Sequence, residues 1–218
     1  MKLDDLLKDT LRTPGPGRDD LEAVRAAARA ELRGGKPVAP WPKQLAALLG
    51  IVGGIAVGAA GVLLASGQTT ASVIAGHGAQ VLTLMAVAVV AGIAALRPNS
   101  PGRWIAMAAG AVGAASLVFL RVPGGPESPT PWMCTVSHLG AGLVPVVVAV
   151  MLLRGSARSV TKALLAGIAA GCTGALLGEL GCEQSALHVA IWHLGAWALV
   201  IAATVAVSRR IKPRSYAP

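Results

Sequence analysis

The sequence is poor in charged residues, aromatic residues and cysteine. Charged residues make up 13% of its 218 residues, whereas soluble domains carry about 25%. Aromatic residues contribute 3%, and there are three cysteines. The low charge excludes an ordinary soluble enzyme and an intrinsically disordered chain, and three cysteines are too few for a disulfide-stapled secreted scaffold. Hydrophobic residues, in contrast, form 54% of the chain.

Six apolar runs are each long enough to cross a bilayer, which takes about 17–25 residues. The runs cover 44–66, 71–96, 104–120, 133–153, 160–181 and 186–208. No run has Lys, Arg, Asp or Glu in its interior, although Lys162 and Glu179 lie near the ends of the fifth. The first 40 residues hold no apolar segment typical of a cleavable signal peptide. The sequence therefore predicts an all-α integral membrane protein, with a six-helix transmembrane bundle over 44–208.

Lys and Arg residues are confined almost entirely to one side of this predicted bundle. Eighteen of the 19 precede the first span, lie around the turns between spans two and three or four and five, or follow span six; Arg121 falls opposite. Because cytoplasmic loops carry an excess of Lys and Arg, we expect a bacterial inner-membrane protein with both termini cytoplasmic and a basic tail at 209–218. The net charge of +9 then reflects topology and contact with an anionic bilayer, and no nucleic-acid partner is invoked.

Residues 1–40 are predicted to form a cytoplasmic arm with two short amphipathic helices, one on each side of a Pro-Gly-Pro-Gly breaker at 14–17. Apolar residues recur at helical spacing in both. The expected anchors are Leu6, Leu7, Leu11, Leu21, Val24 and Leu32. A solitary amphipathic helix lies on a membrane or docks in a partner's groove. The acidic residues of the arm favour a partner protein, and a plain flexible tail is the third alternative.

Cysteine and histidine residues concentrate in the outer half of the predicted bundle. All four histidines and two of the three cysteines fall there, and Cys172 lies in mid-membrane. The candidate sensing residues are Cys134, Cys182, His138, His188 and His193. Histidine inside an apolar span is uncommon enough to be treated as functional by default. The alternative is that the cysteines are inert and the histidines satisfy polar groups of neighbouring helices.

Three chemistries fit these residues. The first is a reversible disulfide between Cys134 and Cys182 in an oxidising periplasm. The second is a zinc-type site of two sulfurs and two nitrogens. Its ligands would be Cys134, His138, Cys182 and His188. The third is a haem or another porphyrin held by imidazoles from different helices.

Catalytic motifs are missing from the sequence. It contains no C-x-x-C dithiol, P-loop, H-E-x-x-H or G-x-S-x-G. We therefore expect a protein that is not an enzyme, and the charge-free span interiors argue against a secondary transporter.

Glycines recur at four-residue spacing on two of the predicted spans. They are Gly50, Gly54 and Gly58 on the first, and Gly167, Gly171, Gly174 and Gly178 on the fifth. Small residues at this spacing let helix backbones approach closely. We expect both faces to serve helix packing within the bundle; the alternative is a dedicated dimer interface.

The stretch 181–188, GCEQSALH, and the Trp-His pair at 192–193 resemble the end of the NrsF-type six-span bacterial anti-sigma factors. The Trp-Met-Cys turn at 132–134 resembles the segment that holds the other cysteine of that family. The family often has Pro after its second cysteine, where this chain has Glu183. Length, topology and an Ala/Gly/Val-rich composition also resemble the CarR-type membrane anti-sigma factors of light-induced carotenoid synthesis.

These resemblances imply a regulator of transcription. The arm would hold an extracytoplasmic-function (ECF) sigma factor at the membrane, and an envelope, oxidative, metal or light-derived stress signal would release it. Cys134 and Cys182 match the cysteines that the NrsF-type resemblance implies are sensing residues. The alternative function is a small membrane redox protein that binds haem or a metal.

Overall fold

The computed structural model describes residues 39–120, 130–154, 159–182 and 185–211, together with Glu22, Ala23 and Ala26, which are helical. The chain divides into two compact units, Met1–Val38 and Ala39–Pro218. The predicted arm falls almost entirely in the first unit. Outside the described residues lie its six anchors, Leu6, Leu7, Leu11, Leu21, Val24 and Leu32, and the tail from 212 onward.

Regular structure in the described part of the second unit is entirely helical. The helices are α1 (Trp41–Ala65), α2 (Ala71–Gly76), α3 (Gly78–Leu96), α4 (Arg103–Phe119), α5 (Pro131–Leu153), α6 (Val160–Gly181), α7 (Ala186–His188) and α8 (Leu194–Arg210). A π-helical turn, Val189–His193, joins α7 to α8, so that the last helix runs unbroken over Ala186–Arg210.

Five helices are long and apolar enough to cross a membrane, one fewer than the six predicted. They are α1, α3, α5, α6 and the last helix, Ala186–Arg210. The predicted third span is α4, which has 17 residues and is about 26 Å long at ~1.5 Å per residue. That is shorter than the roughly 30 Å of a bilayer's hydrocarbon core. The predicted second span is interrupted at His77, which ends α2 and precedes α3.

Polar caps and prolines set several helix starts. The hydroxyls of Thr70, Ser159 and Ser185 accept hydrogen bonds from backbone N–H groups of the first turns of α2, α6 and α7. Each satisfies a donor that has no partner within its own helix. Prolines occupy the first turn of α1 and α5, where their missing N–H costs nothing.

Helix α6 is the centre of the bundle, with α3, α5 and α8 packed directly against it. Sixteen of its 22 residues are buried. A Cβ on Gly167 would lie 2.8 Å from the Ile201 backbone, and one on Gly171 would lie 2.0 Å from the Trp197 ring. Trp197 also donates its indole N–H to the Ile168 carbonyl at 3.2 Å. The packing prediction is therefore confirmed for this glycine face.

The glycine face of α1 behaves differently. A Cβ on Gly50, Gly54 or Gly58 would meet no atom within 4 Å. The buried residues of α1 are Gln44, Leu48 and Val52, a separate stripe near its start. Packing within the bundle is therefore the wrong explanation for the α1 glycines.

The long helices that follow one another along the chain run antiparallel, so the bundle has two chemically different ends. The side-chain amide of Gln80, early in α3, donates to the carbonyl of Leu120, just after α4. Every Lys and Arg described between 39 and 211 lies at what we call the basic end: Lys43, Arg97, Arg103, Arg154, Lys162, Arg209 and Arg210. Cys134 and Cys182 mark the opposite end, which we call the thiol end.

Candidate functional site

Cys134 and Cys182 meet at the thiol end. Cys134 lies in the first turn of α5, and Cys182 follows the last residue of α6 in an extended conformation. Because these helices are antiparallel neighbours, the two sulfurs lie 3.5 Å apart, in a buried position. This separation is van der Waals contact and exceeds the 2.03–2.05 Å of a disulfide bond, so no disulfide joins the two cysteines.

Two histidines from the start of the last helix complete the cluster. Nε2 of His188 lies 3.6 Å from the Cys182 sulfur. Ligand atoms of Cys134, Cys182, His188 and His193 all lie within 4.8 Å of one another, and all four residues are buried. We call these four residues the Cys/His cluster.

The π-helical turn is what brings His188 and His193 together. Five residues of α-helix rotate the side-chain direction by about 500°, which would leave the two rings roughly 140° apart. In a π-turn the hydrogen bond spans one more residue, and here the N–H of Leu194 donates to the carbonyl of Val189. The wider turn places the two ring centroids 5.3 Å apart.

His138 borders the cluster but is not among its four ligands. Its ring lies edge-to-face against His193, with the centroids 4.9 Å apart. Glycines on α6 make room for both rings, since a Cβ on Gly178 would lie 2.5 Å from Cε1 of His138 and 2.3 Å from Nδ1 of His193. The predicted zinc-type set contained His138, and the structure brings His193 into that set instead.

A buried acid–base pair lies within one turn of the cluster along α6. Nδ1 of His77 and Oε1 of Glu179 are 3.0 Å apart, and both side chains are at most 2% exposed. His77 occupies the break between α2 and α3. Sequence reasoning placed Glu179 merely near a span end. The signal that it missed was a carboxylate one turn before Cys182 in an otherwise apolar helix, which requires a polar partner.

The two thiols of the cluster can be oxidised to a disulfide. Alternatively, the two thiols and the two imidazoles can together bind a soft or borderline metal ion. A porphyrin fits the arrangement poorly. The rings of His138 and His188 each pack edge-to-face on His193, so no macrocycle fits between the rings of either pair.

Comparison with known proteins finds a relative that matches the chain along nearly its whole length. The chain is 42% identical over 216 residues to the carotenogenesis protein CarR of Myxococcus xanthus, an alignment that covers 96% of this chain and 97% of that protein. The chain belongs to the CarR family. The CarR resemblance drawn from the sequence is thereby confirmed. No family model matches the chain, so the NrsF-type resemblance stays a prediction, and no solved structure matches it either.

In this CarR-family chain all five predicted sensing residues are buried near the thiol end. Four of them form the Cys/His cluster, and His138 contacts it through His193. Cys172 is buried in mid-α6, ten residues before Cys182, which is about 15 Å along the helix. It therefore belongs to the core and not to the cluster.

Proposed function

We propose that the chain is a membrane-embedded anti-sigma factor that regulates carotenoid synthesis in response to light. The observation that carries this proposal is its 42% identity to the carotenogenesis protein CarR over nearly the full length of both chains. Membership of that family favours a regulator over an enzyme.

The surface of the bundle supports a position inside the membrane. Large apolar side chains point outward all around it, among them Val57, Leu82, Ile105 and Phe119, each more than 70% exposed. Contiguous apolar surface of this kind is unstable in water but matches hydrocarbon. The basic end then faces the cytoplasm of the bacterium, because Lys and Arg are retained on that side. The thiol end lies at the outer face, and the shorter α4 crosses with local thinning of the bilayer.

The N-terminal arm is the proposed sigma-binding element. It belongs to a compact unit separate from the bundle, and its apolar residues recur at helical spacing. Apolar faces of this kind bind by filling a groove on a partner protein. The proposed partner is an ECF sigma factor, held at the membrane away from RNA polymerase.

The Cys/His cluster is the proposed receiver of the signal. It lies at the outer end of α5 and α6, whose other ends carry Arg154 and Lys162 at the basic end. A change in the cluster would move the ends of two packed helices, and α6 contacts most of the bundle. This coupling is a proposed two-state mechanism.

The test is the distribution of the sigma factor in cells kept in the dark and in the light. We expect an ECF sigma factor of the source organism to co-sediment with membranes in the dark, to leave them on illumination, and to drive carotenoid genes constitutively once the chain is deleted. A sigma factor that stays soluble in the dark would contradict the proposal. A Soret band from the purified protein that depends on its histidines would favour the haem-binding alternative.

A further inference from the structure

We propose that Cys134, Cys182, His188 and His193 bind one Zn²⁺ ion in a closed, four-coordinate site at the thiol end. The site goes beyond the proposed function, because it requires nothing of the arm or of a sigma factor. The chemistry is that of structural zinc, in which two thiolates and two neutral imidazoles surround the metal.

The distances match the edges of a zinc tetrahedron. With Zn–S near 2.3 Å and Zn–N near 2.0–2.1 Å, ligand atoms lie about 3.3–3.8 Å apart. The two sulfurs are 3.5 Å apart, and Nε2 of His188 is 3.6 Å from the Cys182 sulfur. The largest separation in the set, 4.8 Å, requires one side chain to move by about 1 Å.

Charge balance and ligand type favour a borderline-soft divalent ion such as zinc. All four ligands are buried, and an uncompensated charge in such surroundings is costly. Two thiolates and a divalent ion give a neutral site, whereas Cu⁺ with the same ligands would leave one negative charge. Mg²⁺ and Ca²⁺ require oxygen ligands, which the cluster does not offer.

The fold holds the ligands in place before any metal arrives. They come from three segments: the start of α5, the end of α6 and the start of the last helix. The hydroxyl of Thr135 donates to the carbonyl of Trp192 at 3.0 Å, which fixes the π-turn against α5. The His138 ring supports the ring of His193. Both rings fill the space that Gly178 leaves open on α6.

A disulfide alone accounts for less of this arrangement. It would use the two sulfurs and neither of the two imidazoles beside them. A zinc ion uses all four groups, and with four protein ligands it leaves no open position for catalysis. The metal would therefore join the outer ends of three helical segments.

The experiment is a metal determination on the full chain, purified in detergent under reducing conditions. Wild type should hold about one zinc per chain. Cys134→Ser, Cys182→Ser and His193→Gln should each lower zinc affinity roughly tenfold or more. Cys172→Ala and His77→Gln are matched controls, since each removes the same kind of group outside the cluster, and both should retain zinc.

Binding of Co²⁺ in place of zinc is a second measurement. It reports the ligands of the wild-type protein directly, so the test does not depend on variants that fold poorly. The wild-type protein should show the visible bands of tetrahedral cobalt and a thiolate-to-cobalt charge-transfer band, and His138→Gln should retain both. Wild type without zinc and without cobalt uptake, or a cysteine pair recovered as a disulfide from reducing buffer, would overturn the proposal. So would loss of cobalt binding in His138→Gln together with its retention in His193→Gln. None of these outcomes alters sigma factor capture, which is measured separately.

Discussion

Glu179 and His77 show how a single buried pair stabilises an apolar bundle. A carboxylate enclosed by helices is tolerated because the imidazole 3.0 Å away neutralises it or hydrogen-bonds to it. Removal of one partner from such a pair is costly, because the other stays buried without compensation.

Replacement of Glu179 by Ala should therefore destabilise the protein by about 1–3 kcal/mol, because the His77 imidazole loses its buried hydrogen-bond partner. Glu179→Gln keeps the shape and a hydrogen bond to His77, so it should cost much less. Thermal unfolding of both variants in detergent measures the difference. If Glu179→Ala unfolds at the wild-type temperature, the pair does not contribute to stability.

Gly178 offers a second test at the scale of one residue. A methyl group there would lie 2.3 Å from Nδ1 of His193 and 2.5 Å from Cε1 of His138, so both rings must shift. Gly178→Ala should cost about 1–3 kcal/mol by overpacking. The matched control is Gly58→Ala, where a Cβ meets nothing within 4 Å; it should unfold at or above the wild-type temperature. Equal behaviour of the two variants would contradict the packing described here.

The sequence was informative about which residue types gather but less so about their exact partners. The position of each residue along its predicted span was enough to place Cys134, Cys182 and His188 at the same end of the bundle, because helix direction and rise per residue are regular. It could not choose between His138 and His193, because that choice depends on the angle introduced by the π-turn. Glu179 was missed because depth alone does not show what lies across from a side chain.

At the scale of elements, the π-turn decides the geometry of the cluster. Trp197 and Ile201 fix the rotation of α8 by packing on Gly171 and Gly167. The extra residue in the turn then sets the direction of His188 relative to His193.

Insertion of one Ala after Ile191 lengthens the segment between the two histidines by one residue and should rotate His188 away from His193 by about 100°. Ile191 is half-exposed, so Ile191→Ala is a matched control that keeps the register. We expect the insertion variant to lose zinc while its far-ultraviolet circular dichroism stays helical, and the control to keep zinc. Zinc retained by the insertion variant would show that the π-turn does not position the ligands.

Helix α4 shows where composition alone misleads. Its apolar run in the sequence is long enough to predict a membrane span, yet the helix itself begins at Arg103 and ends at Phe119. Apolar length in a sequence includes residues beyond the helix ends, and only the backbone conformation shows where the hydrogen-bonded helix stops. The other five spans were predicted because their apolar runs exceed what a bilayer requires.

At the scale of the whole molecule, the distribution of Lys and Arg predicts a fixed orientation in the membrane. Reporter domains fused after Gly67 or Gly125 should report an extracytoplasmic location, and a fusion after Ser100 a cytoplasmic one. The reason is that the connection at the basic end carries Arg97 and Arg103, which stay on the cytoplasmic side. A cytoplasmic signal after Gly125 would show that α4 does not cross, and would place the thiol end on a different side.

The central claim is that the arm captures a sigma factor. The most direct measurement is the affinity of the full chain, in lipid nanodiscs, for purified ECF sigma factors of the source organism. Leu7→Asp with Val24→Asp should weaken binding roughly a hundredfold or more, because each buried apolar side chain contributes about 1.5–3 kcal/mol. Ala23→Asp with Ala26→Asp adds the same charge at exposed helical positions and should bind like wild type.

We expect tight binding by wild type and by this control, and weak binding by the Leu7/Val24 variant. Equal affinity of all three proteins would show that the apolar faces are not the docking surface. Failure of the wild-type chain to bind any of these sigma factors would contradict the central claim.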